Sequence, residues 1–112
     1  MPLTLLLRCD DLEATRAHYR DVLGFTTSDP AQGILTVAKE DCTLIFTPDD
    51  LWKSPPVFSG TVYFAIADVD GYFDAVKNKA TIAWPLQDMD YGTREFGVRD
   101  CNGYHLAFRR KA

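Results

Sequence analysis

The chain repeats itself, and that limits what it can fold into more than any other feature of its sequence. Helical spacing runs through "DLEATRAHYRDVLGF", Asp11 to Phe25, and again through "DVDGYFDAVKNK", Asp68 to Lys79. Stepping back the same distance from Asp11 and from Asp68 reaches Thr4 and Thr61, which open the strand-like runs "TLLLR" and "TVYFAI". Further along, "CTLIF" aligns with "YHLAF", and this superposes Ile45 on Ala107. A short unit of strands and one helix cannot close a core by itself, so two copies are expected to pair.

Each copy can be read element by element. In the first helix Asp10 or Asp11 is the expected cap, with Glu13 in capping-box position relative to Asp10. Leu12, Thr15, Tyr19, Val22 and Leu23 form its apolar face, and Gly24 stops it. The runs "FTTSD", "GILTVAKED" and "CTLIFTPDD" follow as a meander, turned at Pro30 with Gly33 and at Glu40 with Asp41. The prolines of "LWKSPPVFSG" forbid regular structure there, which leaves Trp52 and Phe58 on a loop. The second copy reads as the strand "GTVYFAIA", a helix capped by Asp68, a short strand "TIAWP", and a closing hairpin of "REFGVRD" with "YHLAFRR". The expected class is α+β: one domain spanning 1–112, built from two βαβββ modules at 1–50 and 58–112.

Composition excludes several kinds of function. At 112 residues with a net charge of −4, the chain lacks the basic face that nucleic acid requires, and no nucleic-acid partner is expected. No apolar run approaches the ~20 residues of a membrane helix, so no membrane association is expected either. The opening "MPLTLLLRCDD" is too short and too soon acidic for a signal peptide, which makes the cytoplasm the expected compartment. Cys9, Cys42 and Cys101 lie far apart and form no CxxC pair, so they read as packing residues of a reducing compartment. His18 and His105 are the only histidines, and they are isolated.

The runs from Asp11 to Phe25 and from Arg94 to Gly103, set in this repeated order of elements, resemble the vicinal-oxygen-chelate superfamily of glyoxalases, bleomycin-resistance proteins and ring-cleaving dioxygenases. The lead "YGTREF", Tyr91 to Phe96, is most similar to the bleomycin-resistance branch, while Cys101 stands where that family usually has proline. The resemblance implies curved mixed sheets around a cavity, helices packed outside, and a homodimer. Metal-dependent members place histidine or glutamine on the first strand of each module and glutamate on the last. The corresponding positions here are Thr4, Thr61, Ile45 and Ala107. A divalent cation needs several convergent His, Cys, Asp or Glu donors, so no metal or other cofactor is expected.

Strand alternation then nominates a lining. Thr4, Leu6 and Arg8 share one face, as do Thr61, Tyr63 and Ala65 in the repeat. Glu95, Gly97 and Arg99 face with His105, Ala107 and Arg109, while Phe96, Val98, Leu106 and Phe108 pack under the helix. The expected ligand-binding residues are Trp52, Phe58, Thr61, Tyr63, Trp84, Tyr91, Glu95 and His105, with the aromatic members on loops or strand ends. An inward Glu95 must be hydrogen-bonded or paired, and Arg8, Arg94 and Arg99 are its expected structural partners if it does not meet ligand. The resulting expectation is a metal-free protein that sequesters an amphipathic or aromatic small molecule. A lyase, isomerase or dioxygenase of the same fold is the alternative.

Overall fold

The computed structural model describes residues 3–30, 33–49 and 60–111, in two compact units, Met1–Phe58 and Ser59–Ala112. Trp52, Phe58 and nearly all of "LWKSPPVFSG" lie outside the described residues. The first unit runs β1 (Thr4–Arg8), α1 (Leu12–Ala17), a π-helical segment (His18–Val22), β2 (Thr26–Thr27), β3 (Leu35–Lys39) and β4 (Cys42–Thr47). The second runs β5 (Thr61–Ile66), α2 (Val69–Val76), β6 (Thr81–Asp88), β7 (Arg94–Arg99) and β8 (His105–Arg110). Each forms a four-stranded mixed sheet, ordered β1-β4-β3-β2 and β5-β8-β7-β6. The protein is therefore α+β, with two βαβββ modules.

The repeat holds at the level of single residues. In the first unit Thr4 pairs with Thr43 and Leu6 with Ile45, in parallel. In the second, Thr61 pairs with His105 and Tyr63 with Ala107, again in parallel. Residues aligned as copies of one another in the sequence thus occupy the same place in the two sheets.

The first helix begins where Asp11 accepts the Ala14 amide at 3.1 Å, satisfying one of the donors a helix start leaves orphaned. Asp10 makes no capping box, because Asp11 holds the cap and Glu13 reaches forward to Arg16 at 3.1 Å. From His18 the helix widens. The Leu23 amide reaches the His18 carbonyl at 3.2 Å, five residues back, and Gly24 at φ 73° lets the Phe25 amide close on the Tyr19 carbonyl at 2.8 Å. Thr15, Tyr19 and Leu23 are buried, and Tyr19 meets Phe25 and Phe46 with ring centroids 5.1 and 5.2 Å apart.

In the second unit Asp68 caps α2 by accepting the Gly71 amide at 3.0 Å. Val62, Phe64 and Ile66 of β5 are buried on the helix side of the sheet, together with Phe96, Val98, Leu106 and Phe108. Phe96 lies 5.0 Å from Phe73, and Phe108 lies 4.8 Å from Tyr72, so the aromatic face of α2 closes this core.

One strand departs from the sequence reading. The expected "TIAWP" strand does not stop at its proline but continues as β6 to Asp88. Its pairing with β7 is irregular between Ile82 and Trp84 and again between Trp84 and Gln87. A proline has no amide to give to a ladder and is tolerated on an edge strand or at a bulge, and β6 offers both. Among the described residues no helix is long and apolar enough to cross a membrane.

Candidate functional site

One face of the second sheet is covered by α2, and alternation assigns the other face to a second set of side chains. Register sorts them into rows across β5, β8, β7 and β6. Thr61, His105, Arg99 and Thr81 make one row. Tyr63, Ala107, Gly97 and Trp84 make the next, followed by Ala65, Arg109, Glu95 and Gln87. The middle row has large aromatic residues at its ends and the two smallest side chains between them.

Trp84 lies in the interior of β6, not on a loop or strand end as the sequence suggested. Its neighbour across the ladder is Gly97, and its ring occupies the space a side chain there would need. A Cβ built on Gly97 would stand 2.5 Å from Cε2, Cζ2 and Cη2 of the indole. Glycine at this position thus permits close approach of ring to backbone.

Glu95 is fully buried at 0 % exposure. Its Oε1 accepts the Tyr91 hydroxyl at 2.7 Å and the Thr93 hydroxyl at 2.8 Å. Both donors come from the tight connection before β7, where the Gly92 amide reaches the Met89 carbonyl at 3.0 Å and Gly92 adopts φ 93°. This turn folds Tyr91 back over the strand it precedes. Hydrogen bonding to Glu95, followed by desolvation and a hydrogen bond with Tyr63, raises the Tyr91 phenol above its ordinary pKa. Tyr63 in turn lies under the Arg109 guanidinium, 5.5 Å from ring centroid to charge centre.

Arg94, one of the expected arginine partners of Glu95, is engaged elsewhere. It is the chain neighbour of Glu95 and so points to the opposite face, where it binds Asp70 at 2.7 Å and Asp88 at 3.3 Å. Arg109 stands directly across the ladder from Glu95 but extends over Tyr63. The carboxylate is therefore held by two neutral hydroxyls. Its Oε2 is buried and has no hydrogen-bond partner among the described residues, and the same holds for the Trp84 indole Nε1.

The remaining expected residues are more open. Tyr63 is 47 % and Tyr91 61 % exposed, His105 is exposed at the start of β8, and Thr61 beside it is half-buried. The sequence reading did not single out Thr93, although it stands two residues before Glu95 and so shares its strand parity. Gly97 and Arg109 were placed on the correct face, but only as lining.

The donor set does not fit the divalent cation of metal-dependent relatives. Ala107, fully buried between Tyr63 and Gly97, brings no donor to the last strand, and its counterpart in the first sheet is Ile45. Thr4 and Thr61 occupy the first strands. Among the described residues no three His, Cys, Asp or Glu side chains converge. His105 has Thr61 and Arg99 as its cross-strand neighbours.

Two βαβββ modules, each a four-stranded mixed sheet with its helix packed on one face, define the vicinal-oxygen-chelate class of fold. The chain belongs to the Glyoxalase/Bleomycin resistance protein/Dioxygenase superfamily, whose profile matches residues 3–108. Solved structures agree on the fold. TioX from Micromonospora sp. ML1 superposes with a TM-score of 0.81 at 22 % identity, covering 100 % of this chain and 99 % of that one. A superfamily member from Sphaerobacter thermophilus gives 0.77 at 17 % identity, covering 99 % and 97 %. A glyoxalase/bleomycin resistance protein/dioxygenase from Alicyclobacillus acidocaldarius gives 0.78 at 16 %, covering 98 % and 90 %. No curated protein sequence matches significantly.

Proposed function

We propose that this protein binds a small amphipathic or aromatic compound without a metal ion and sequesters it, as befits the bleomycin-resistance side of its superfamily. The observation that carries this reading is Glu95: a buried carboxylate with one oxygen accepting two hydroxyls and the other without a partner among the described residues, on the sheet face where metal-dependent relatives do their chemistry. A buried polar atom without a partner costs free energy, and a site that binds ligand recovers it. Beside it, Tyr63 and Trp84 flank Ala107 and Gly97, which suits a flat apolar body lying between aromatic walls.

The ligand-binding set is then Tyr63, Trp84, Tyr91 and Glu95, with Thr61 and His105 on the open row beside them. Trp52 and Phe58 remain members on sequence grounds alone. The two modules belong to one domain, and the protein works as a homodimer in the cytoplasm. Leu3 and Leu6, 66 % and 51 % exposed around edge strand β1, offer apolar surface for a second chain to cover.

A thermal-shift screen of planar aromatic and amphipathic compounds tests the reading. A true ligand well above its dissociation constant must raise the melting temperature, and Trp84→Ala should abolish the rise. Screening that finds no stabilising compound in any class would overturn sequestration. Metal analysis after loading with Zn, Mn, Ni or Fe should find no tight stoichiometric ion. Light scattering at graded concentrations checks the dimer.

A further inference from the structure

We infer that the ligand presents an amide-type group, an N–H beside a C=O, to Glu95 Oε2 and Trp84 Nε1. This rests on the binding role proposed above and names the chemistry that the site recognises. Among the described residues, these two atoms are buried without a hydrogen-bond partner on the sheet face away from α2, and they are opposite in kind. A carboxylate oxygen only accepts, while an indole N–H only donates.

Their positions suit a single group. Cε2 of Trp84, which is bonded to Nε1, lies over Gly97. Glu95 is on the same face of β7, two residues away, a strand rise of about 6.6 Å. The two side chains thus address neighbouring places on one sheet face, which suits the adjacent N–H and C=O of one amide, lactam or urea. Both protein atoms are shielded from solvent, where an unmade hydrogen bond is most costly and a made one most selective. The turn carrying Tyr91, 61 % exposed, is the neighbouring element that can yield to admit the group.

The pairing also excludes simpler ligands. An ammonium, guanidinium or amidinium group satisfies Glu95 but sets its own N–H against the Trp84 N–H. A carboxylate does the reverse and sets its charge against Glu95. Arg109, the one cation across the ladder from Glu95, is engaged with Tyr63 and does not compete for Oε2.

Three bicyclic probes of nearly one shape provide the test, measured by calorimetry on the full chain. Isoquinolone carries the lactam, N-methylisoquinolone lacks the N–H, and indole keeps an N–H with no acceptor beside it. Isoquinolone should bind at least about ten-fold more tightly than either analogue. Glu95→Gln puts a donor at Oε2 and should erase the preference over N-methylisoquinolone. Trp84→Phe keeps a ring but removes the N–H that meets the carbonyl, and should erase the preference over the probe indole. Melting curves of both variants establish that they fold, and either one alone decides the matter if the other does not. Equal binding of all three probes to the wild-type protein overturns amide recognition while leaving the binding role intact. Failure of every probe to bind, joined to a negative thermal-shift screen, overturns both.

Discussion

Gly97 and Trp84 share one volume, and the consequence is felt by any side chain larger than hydrogen. In Gly97→Ala the new methyl stands 2.5 Å from three ring carbons, so the indole must move off the strand. Overpacking of this kind costs about 1–3 kcal/mol. Chemical denaturation should show that loss, and Trp84→Leu in the same chain should return much of it, because the two changes act on one contact. A second residue-scale expectation concerns Glu95. Tyr91→Phe leaves Thr93 as its donor and should cost about 0.5–1.5 kcal/mol. Adding Thr93→Val strips the buried carboxylate of both donors, and the double loss should exceed the sum of the single losses. Strand alternation made the inward direction of Glu95 legible in the sequence. Its partners were not, since a turn placed the hydroxyls, and turn geometry is weakly encoded by residue type.

At the scale of elements, the aspartate caps were readable because an Asp before an apolar-periodic run has a physical use there. Asp68→Ala should therefore cost about 1 kcal/mol, and circular dichroism during denaturation should report it. Asp11→Ala should behave alike. The glycine stop at Gly24 was readable for the same kind of reason, a positive φ that side chains resist. The π-helical segment was not. Thr15, Tyr19 and Leu23 stand four apart, a spacing common to both helix types. The slower winding of the π segment merely cancels the drift an α-helix would give that row. Nor was the length of β6 readable, because Pro85 in isolation looks like an ending. Only the irregular pairing with β7 shows how an edge strand passes through it.

At the scale of the whole molecule, the repeat carried the most information. It fixed the module order and made Thr43 with His105, and Ile45 with Ala107, equivalent pairs before any coordinate was needed. Global stability should carry the mark of a half-buried phenol, Tyr72. Burial beside Phe96 and Phe108 raises the Tyr72 pKa above the value of about 10 that the unfolded chain has. A group whose folded pKa is raised gives stability that is fully present below its unfolded pKa and is lost as pH rises toward the folded one. Melting temperature should therefore fall with a steepening slope above about pH 10. Tyr72→Phe should flatten that slope. Tyr91, shifted the same way but largely exposed, should contribute less.

Pro85 has a consequence for how copies of this chain can meet. The outer margin of a sheet is a template on which further strands assemble, and uncontrolled growth there leads to fibres. At β6 the margin contains a residue with no amide proton, and its pairing breaks register on either side of Trp84. Such a border does not propagate. Replacing Pro85 would therefore add aggregation risk at the strand that also carries Trp84.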